Sequence, residues 1–174
     1  MEKENSELWE WIKSIFFAVI IALLIRSFVV EIFVVEGLSM QPTLEHHERL
    51  LVNKFVYHFR EPSQGDVVVF SYSPERDFIK RVIATGGDTV EITRQGVYVN
   101  GELLEEDYVI NNNMSDFGST SVPEDHIFVL GDNRDNSMDS REPSVGFISF
   151  ERVKGKAMLV FWPLDQFSLV NSYS

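Results

Sequence analysis

The sequence predicts a mainly β fold with one N-terminal transmembrane helix, and two observations lead to this prediction. The first is an uninterrupted apolar run near the N-terminus, from Ile15 to Ile25, as in a helix that crosses a lipid bilayer. The second is a series of short runs rich in valine, isoleucine and phenylalanine, separated by polar turns, which is typical of strands. A chain of 174 residues has room for one compact domain beside the helix. We place the anchor in residues 1–27 and the β domain in residues 28–174.

Length decides whether the N-terminal helix can cross a membrane. At about 1.5 Å per residue the apolar run spans about 16 Å, whereas the hydrocarbon core of a bilayer is about 30 Å thick. Extending the helix back to Leu8 gives about 27 Å. Trp9 and Trp11 then suit the membrane interface, and Lys13 can extend its ammonium group outward. A single, slightly short span is therefore expected.

Two other interpretations of this segment are a cleavable signal peptide and a buried core helix. The stretch after the apolar run, from Arg26 to Glu31, lacks a small-x-small cleavage site, which favours an uncleaved anchor. Lys3 and Lys13 precede the span and Arg26 follows it, a small bias toward a cytoplasmic N-terminus.

Strands are predicted where apolar residues alternate or cluster in short runs. These runs cover residues 28–36, 49–56, 66–72, 78–84, 89–93, 97–99, 102–104, 126–130 and 153–162. Asn100-Gly101 predicts a type I′ hairpin turn, because both residue types accept positive φ angles. Residues 111–125 have no period and contain Gly118 and Pro123, so we expect a long surface loop there.

Composition argues against several kinds of function. The formal net charge of -12 disfavours a nucleic-acid partner, because phosphate backbones are bound mainly by clustered lysine and arginine. The absence of cysteine rules out disulfides, a thiolate nucleophile and zinc–thiolate sites. The histidines lack the spacing of a zinc motif, and the sequence has no glycine-rich phosphate loop. We therefore expect no cofactor and no metal.

Ser39 is the candidate nucleophile. It follows Gly37 and precedes Pro42, a setting in which a bend presents a hydroxyl and a backbone N–H to one point. Taken alone, a serine in such a setting is more often a turn residue. A neutral hydroxyl is also a weak nucleophile and needs a base.

Lys80 is the candidate base. On an alternating strand it shares a face with Phe78, Val82 and Ala84, and burial among these residues would lower the pKa of its ammonium group. The alternative is a lysine that extends from a strand edge into solvent. Arg81 points to the opposite face and cannot replace Lys80 as a base, because a guanidinium group stays protonated.

The segment from Asp132 to Arg141 is rich in acids, amides and hydroxyls. It does not fit a calcium-binding loop, since Ser137 occupies the sixth position instead of glycine and Pro143 the twelfth instead of glutamate. A polar turn tied together by aspartate and arginine side chains is the alternative to a role in catalysis.

Three motifs in chain order carry a resemblance to a known family: SMQPT at 39–43, FIKRV at 78–82 and GDNRDNSMDSR at 131–141. Together they resemble a bacterial type I signal peptidase of the short, single-span form, a peptidase of family S26 with a Ser-Lys dyad. The resemblance implies a domain built as an antiparallel β-sheet or barrel. It also implies that Ser39 is the nucleophile and Lys80 the base.

Further roles follow from the same resemblance. Ser137 is expected to orient the lysine, Asp139 and Arg141 to support the shape of the site, and Asp132 to have a weaker supporting role. The backbone N–H of Ser39 is expected to bind the oxyanion. Some members of the family place a hydroxyl residue two positions before the nucleophile. This chain has Gly37 there, so the second oxyanion donor stays open.

The function implied is that of a membrane-bound serine endopeptidase. It would remove N-terminal signal peptides from exported preproteins after small-x-small sites such as Ala-x-Ala, through an acyl-enzyme intermediate. Its partners would be those preproteins and the lipid bilayer, with the N-terminus cytoplasmic and the catalytic β domain extracytoplasmic. Val35, Leu38 and Met40 lie near the nucleophile and are expected to contact substrate or lipid, or to pack in the core.

Two other classes of function stay open. One is a self-processing Ser-Lys regulator, against which the anchor and the lack of a basic DNA-binding module argue. The other is a non-enzymatic, membrane-tethered β domain that binds extracytoplasmic proteins. In that case Ser39 and Lys80 would be exposed to solvent and have ordinary chemistry.

Overall fold

The computed structural model describes residues 2–110 and 115–171 of the chain. Within these ranges one long helix, α1 (Glu2–Phe28), precedes strands that form two antiparallel sheets. In chain order the strands are β1 (Val30–Val34), β2 (Arg49–Asn53), β3 (Val67–Ser73), β4 (Arg76–Thr85), β5 (Thr89–Thr93), β6 (Gly96–Val99), β7 (Glu102–Leu103), β8 (Phe117–Ser121), β9 (His126–Leu130), β10 (Ile148–Ser149), β11 (Val153–Trp162) and β12 (Ser168–Leu169). Short 3₁₀ helices lie at Val56–His58, Arg134–Asn136, Phe150–Arg152 and Leu164–Gln166.

The predicted N-terminal helix is confirmed, and it continues almost directly into β1. Large apolar side chains along it are exposed, among them Trp11, Phe16 and Phe17. None of the helices in the described ranges has the combination of length and apolarity required to cross a membrane.

The larger sheet carries the three sequence motifs, which follow β1, lie within β4 and follow β9. Its strand order is β1-β2-β11-β3-β4-β9-β10, with β12 also paired to β11. The apolar run Val67–Phe70 of β3, which lies between β11 and β4, is buried throughout because both faces are covered: Val67 and Val69 pack in one apolar cluster, and Val68 and Phe70 pack in another. The smaller sheet has the order β7-β6-β5-β8 and packs its apolar residues in a cluster with Phe128 and Leu130 of β9. The two sheets therefore meet in this cluster.

Most predicted strands are confirmed within a few residues of their bounds, and β5, β9 and β11 match the predicted ranges. The hairpin turn between β6 and β7 is also confirmed, with φ angles of 54° at Asn100 and 83° at Gly101. The predicted first strand began too early, since α1 extends to Phe28.

The prediction of a surface loop over residues 111–125 is wrong for the middle of the segment. Residues 117–121 form β8, which pairs with β5 along the open edge of the smaller sheet. Gly118 and Ser119 are exposed in this strand. An exposed edge strand needs no apolar alternation, so the sequence carried little signal for it. Residues 111–114 lie outside the described residues.

Candidate active site

Ser39 lies in a turn that follows β1 at one end of the larger sheet. The chain bends at Gly37, whose φ of +101° lies in the left-handed region that favours glycine. Backbone hydrogen bonds from Gln41 to Leu38 (3.2 Å) and from Leu44 to Met40 (2.9 Å) then close the turn. The turn is held from outside as well, because the Asn133 N–H donates to the Ser39 carbonyl oxygen at 3.0 Å.

Lys80 meets Ser39 from the middle of β4. Its Nζ lies 2.8 Å from the Ser39 Oγ and also donates to the Ile79 carbonyl oxygen at 2.8 Å. The side chain is almost fully buried, and Nζ lies 5.2 Å from the centre of the Phe78 ring. Its two hydrogen-bond partners are neutral, and none of the ion pairs among the described residues includes Lys80. A lysine that extended into solvent, the alternative raised by the sequence, does not fit this environment.

Burial changes the acid–base behaviour of Lys80. The pKa of its ammonium group is lowered to about 8, chiefly because the charged form loses its hydration. The negative charges of Asp139 and Asp132 oppose this shift, and the positive charge of Arg76 adds to it. A lysine with this pKa supplies a substantial fraction of neutral amine near pH 8, whereas an ordinary lysine does not.

The expectation that Lys80 shares one face of its strand with Ala84 is wrong. A bulge interrupts the pairing of β4 with β9 between Val82 and Ala84, so the alternation of faces shifts there. Ala84 accordingly packs in a different apolar cluster from Phe78 and Val82. Only the part of the strand before the bulge shapes the surroundings of the lysine.

Arg81, the neighbour of Lys80, is also fully buried but is fully paired. Its guanidinium group binds both carboxylate oxygens of Asp132, at 2.9 and 2.7 Å, and also donates to the carbonyl oxygens of Gly65 and Asn171. The Thr43 hydroxyl donates to the same carboxylate at 2.5 Å, which ties the nucleophile turn to this ion pair. Sequence reasoning missed the pairing of Arg81. The available signal was its position on the face opposite Lys80, where a buried cation requires an acid.

Three of the predicted supporting residues lie in one loop after β9. Asp139 and Arg141 form a bidentate ion pair, with contacts of 2.7 and 2.9 Å. Asp139 also accepts a hydrogen bond from the Gly131 N–H at 3.0 Å. The hydroxyl oxygen of Ser137 is buried and has no hydrogen-bond partner within the described part of the chain. Thus the predicted contact from Ser137 to Lys80 is not formed in this structure.

Gly131 lets this loop approach the nucleophile turn closely. A Cβ atom at this position would lie 2.5 Å from the Ser39 carbonyl oxygen and would overlap the Ser137 hydroxyl. Any side chain at position 131 therefore forces the two segments apart.

A cleft of about 380 Å³ opens beside Ser39 and Lys80. Val35, Leu38 and Met40 all line it. Val35 and Met40 are also buried in the core of the larger sheet, whereas Leu38 is 47% exposed. The two uses weighed from sequence, contact with a ligand and core packing, therefore coincide at Val35 and Met40.

The arrangement can perform acyl transfer. A hydroxyl lies within hydrogen-bonding distance of an amine that is depleted of its proton near pH 8, and an open cleft gives access to both. A tethered binding domain with ordinary, solvent-exposed Ser39 and Lys80 does not match this geometry.

We predict that Gly131→Ala destabilises the protein and displaces the nucleophile turn. Overpacking of this kind costs about 1–3 kcal/mol, because the overlapped atoms are backbone and a buried hydroxyl. The change is checked by urea unfolding in detergent. Gly118→Ala is the matched control, since a Cβ there meets nothing within 4 Å. Equal stability of the two variants would contradict the close approach at Gly131.

Comparison with known proteins places this site in a family. A family model described as signal peptidase, peptidase S26, matches residues 8–162. Signal peptidase I P of Bacillus subtilis subsp. natto is 39% identical, covering 95% of this chain and 95% of the relative. Signal peptidase I of Bacillus licheniformis is 42% identical, covering 94% and 93%. A crystal structure of a signal peptidase I from Enterococcus faecalis V583 has 36% identity and a TM-score of 0.48, covering 56% of this chain and 97% of that one. The chain belongs to the signal peptidase family, peptidase S26, and is a serine endopeptidase of the type I signal peptidase class.

Proposed function

We propose that this chain removes N-terminal signal peptides from exported preproteins by means of a Ser39-Lys80 dyad. The observation that carries the proposal is the 2.8 Å contact between the Ser39 Oγ and a buried lysine Nζ that has no ion-pair partner among the described residues. Family membership supports the class of reaction and substrate, and this contact supports the identity of the catalytic groups.

The mechanism begins with neutral Lys80. Its Nζ accepts the proton of Ser39 while Oγ attacks the scissile carbonyl carbon of the preprotein. The resulting oxyanion is stabilised by the Ser39 N–H. Protonated Lys80 then gives its proton to the leaving amine, which is the N-terminus of the mature protein. Lys80 next activates a water molecule that hydrolyses the acyl-enzyme and releases the signal peptide.

The buried hydroxyl of Ser137 is suited to orient Lys80 during these steps. A neutral Nζ that accepts the Ser39 proton has two N–H groups, one directed at the Ile79 carbonyl oxygen and one left for an acceptor such as the unpartnered Ser137 oxygen. The Asp139–Arg141 ion pair holds the part of the loop that carries Ser137, and Asp132 joins the start of the same loop to β4 through Arg81.

Cleavage after small-x-small sites fits the wall of the cleft. Val35 and Met40 are buried in the core and also line the cleft, so apolar surface is available there for the small side chains of the substrate. Leu38 is exposed at the mouth of the cleft, where it is placed to contact the substrate or lipid.

The same proposal places α1 in the membrane and the β domain on the extracytoplasmic side. Support comes from the exposure of large apolar side chains on the helix, because water penalises an extended apolar surface. Trp9 and Trp11 suit the interface at the cytoplasmic end. An anchor of this kind confines the search for membrane-inserted substrates to a surface.

We predict that Ser39→Ala and Lys80→Met each abolish cleavage of a preprotein with an Ala-x-Ala site, because one loses the nucleophile and the other the base. Cleavage is measured with the full chain in detergent and located by mass spectrometry. The controls Ser119→Ala and Lys54→Met, both remote from the dyad, should cleave normally. Cleavage by Ser39→Ala or Lys80→Met would contradict the mechanism. If the folded wild type does not cleave the preprotein, a tethered binding domain is favoured instead.

The pH dependence follows from the pKa of Lys80. Neutral amine is the active form, so kcat/KM should rise with pH, by about tenfold per unit below the pKa. It should level off above about pH 8, the lowered pKa of Lys80. Initial rates at low substrate concentration between pH 6 and 10 test this. A rate that continues to rise through pH 10 would show that the pKa of Lys80 is not lowered.

A further inference from the structure

His46 is the side chain that partners the backbone immediately before the nucleophile turn. The Gly37 N–H donates to its Nδ1 at 3.1 Å. Because a backbone N–H donates to Nδ1, this nitrogen carries no proton, and the neutral ring has its proton on Nε2. Gly37 is two residues before Ser39 and lines the same cleft.

The surrounding backbone explains why position 46 lies opposite Gly37. Val35 donates to the Glu48 carbonyl oxygen and accepts from the His47 N–H, each at 2.9 Å. These bonds hold the segment before the turn in a ladder with residues 47 and 48. The ladder stops at Gly37, where the backbone bends, and an imidazole replaces the next backbone acceptor.

A second imidazole lies beside His46. The centres of the His46 and His47 rings are 3.7 Å apart, with the ring planes tilted by 32°. His47 adopts a φ of 72°. Both side chains are exposed, and the contact to the Gly37 N–H is made by His46.

We propose that His46 is a positioning residue for the reaction: its imidazole fixes the Gly37 corner and, through it, the Ser39 hydroxyl and N–H. The inference rests on the proposed function, since it concerns the placement of the same nucleophile. Val35 is held by its own backbone bonds, so loss of the imidazole acceptor loosens the nucleophile more than the substrate-binding wall. Loss of the contact should therefore lower kcat and leave KM nearly unchanged.

The test uses three substitutions that differ in where they place an acceptor. The Oδ1 of His46→Asn lies as many bonds from Cα as the imidazole Nδ1, whereas the acceptor of His46→Gln lies one bond further away. His46→Phe keeps a ring against His47 without any acceptor. His47→Asn is the matched control, because it removes a neighbouring imidazole at a position with positive φ, which asparagine tolerates.

Activity is measured with the full chain in detergent and an Ala-x-Ala preprotein. His46→Gln and His46→Phe should each lower kcat about three- to tenfold, which corresponds to the loss of one hydrogen bond in the transition state. His46→Asn and His47→Asn should keep kcat close to that of the wild type. A normal kcat in His46→Gln and His46→Phe would overturn the role of His46, and so would an equal loss of kcat in His46→Asn and His46→Gln. In both cases cleavage by the wild type would still support the proposed function. If the wild type cleaves nothing, the proposed function and this role fail together.

A second readout does not depend on activity. Amide hydrogen exchange at Gly37 should be protected in the wild type and in His46→Asn, and should speed up in His46→Gln and His46→Phe. Equal exchange in all four proteins would show that the imidazole does not hold this backbone.

Discussion

The two consecutive buried cations of β4, Lys80 and Arg81, lie in different environments, and the rest of the site depends on this difference. Arg81 donates hydrogen bonds to both carboxylate oxygens of Asp132, so its positive charge is buried together with a negative one. Lys80 faces the other side, where its contacts are a hydroxyl, a carbonyl oxygen and an aromatic ring. Burying an ammonium group without a carboxylate partner disfavours the charged form. The same strand thus supplies a permanent cation that ties segments together and a lysine that readily gives up its proton.

Ser39 reaches Lys80 because distant segments hold its turn from several sides. The Asn133 N–H binds the carbonyl oxygen of Ser39, and Thr43 joins the Asp132 carboxylate. Gly131 leaves no side chain between the two segments. Removing one partner of a buried ion pair typically costs about 3–5 kcal/mol because the other charge is left buried without compensation, so neither Arg81 nor Asp132 can be replaced alone without destabilising the contact between β4 and the loop after β9. Catalytic geometry and domain stability are therefore linked at this point.

Local sequence signals accounted for much of the fold, and the family resemblance indicated Ser39 and Lys80 as a pair, but the other contacts between distant segments required the structure. Runs of β-branched residues and Asn100-Gly101 act within a few positions, so β5, β9, β11 and the hairpin were predictable. The edge strand β8 pairs with β5 on one side and is open to solvent on the other, so its side chains need not alternate between apolar and polar. The bulge after Val82 and the acceptor role of His46 are set by tertiary packing, and neither leaves a pattern in the sequence.

We propose that burial without an ion-pair partner is the main cause of the lowered pKa of Lys80 and makes this lysine the base. Direct NMR titration of the chain with ¹³C-labelled lysine tests it, with the Lys80 signal identified by its loss in Lys80→Met. We expect a midpoint at about 8. A midpoint near the ordinary lysine value of about 10.4 would mean that the ammonium group stays charged in the folded protein, and would contradict this account.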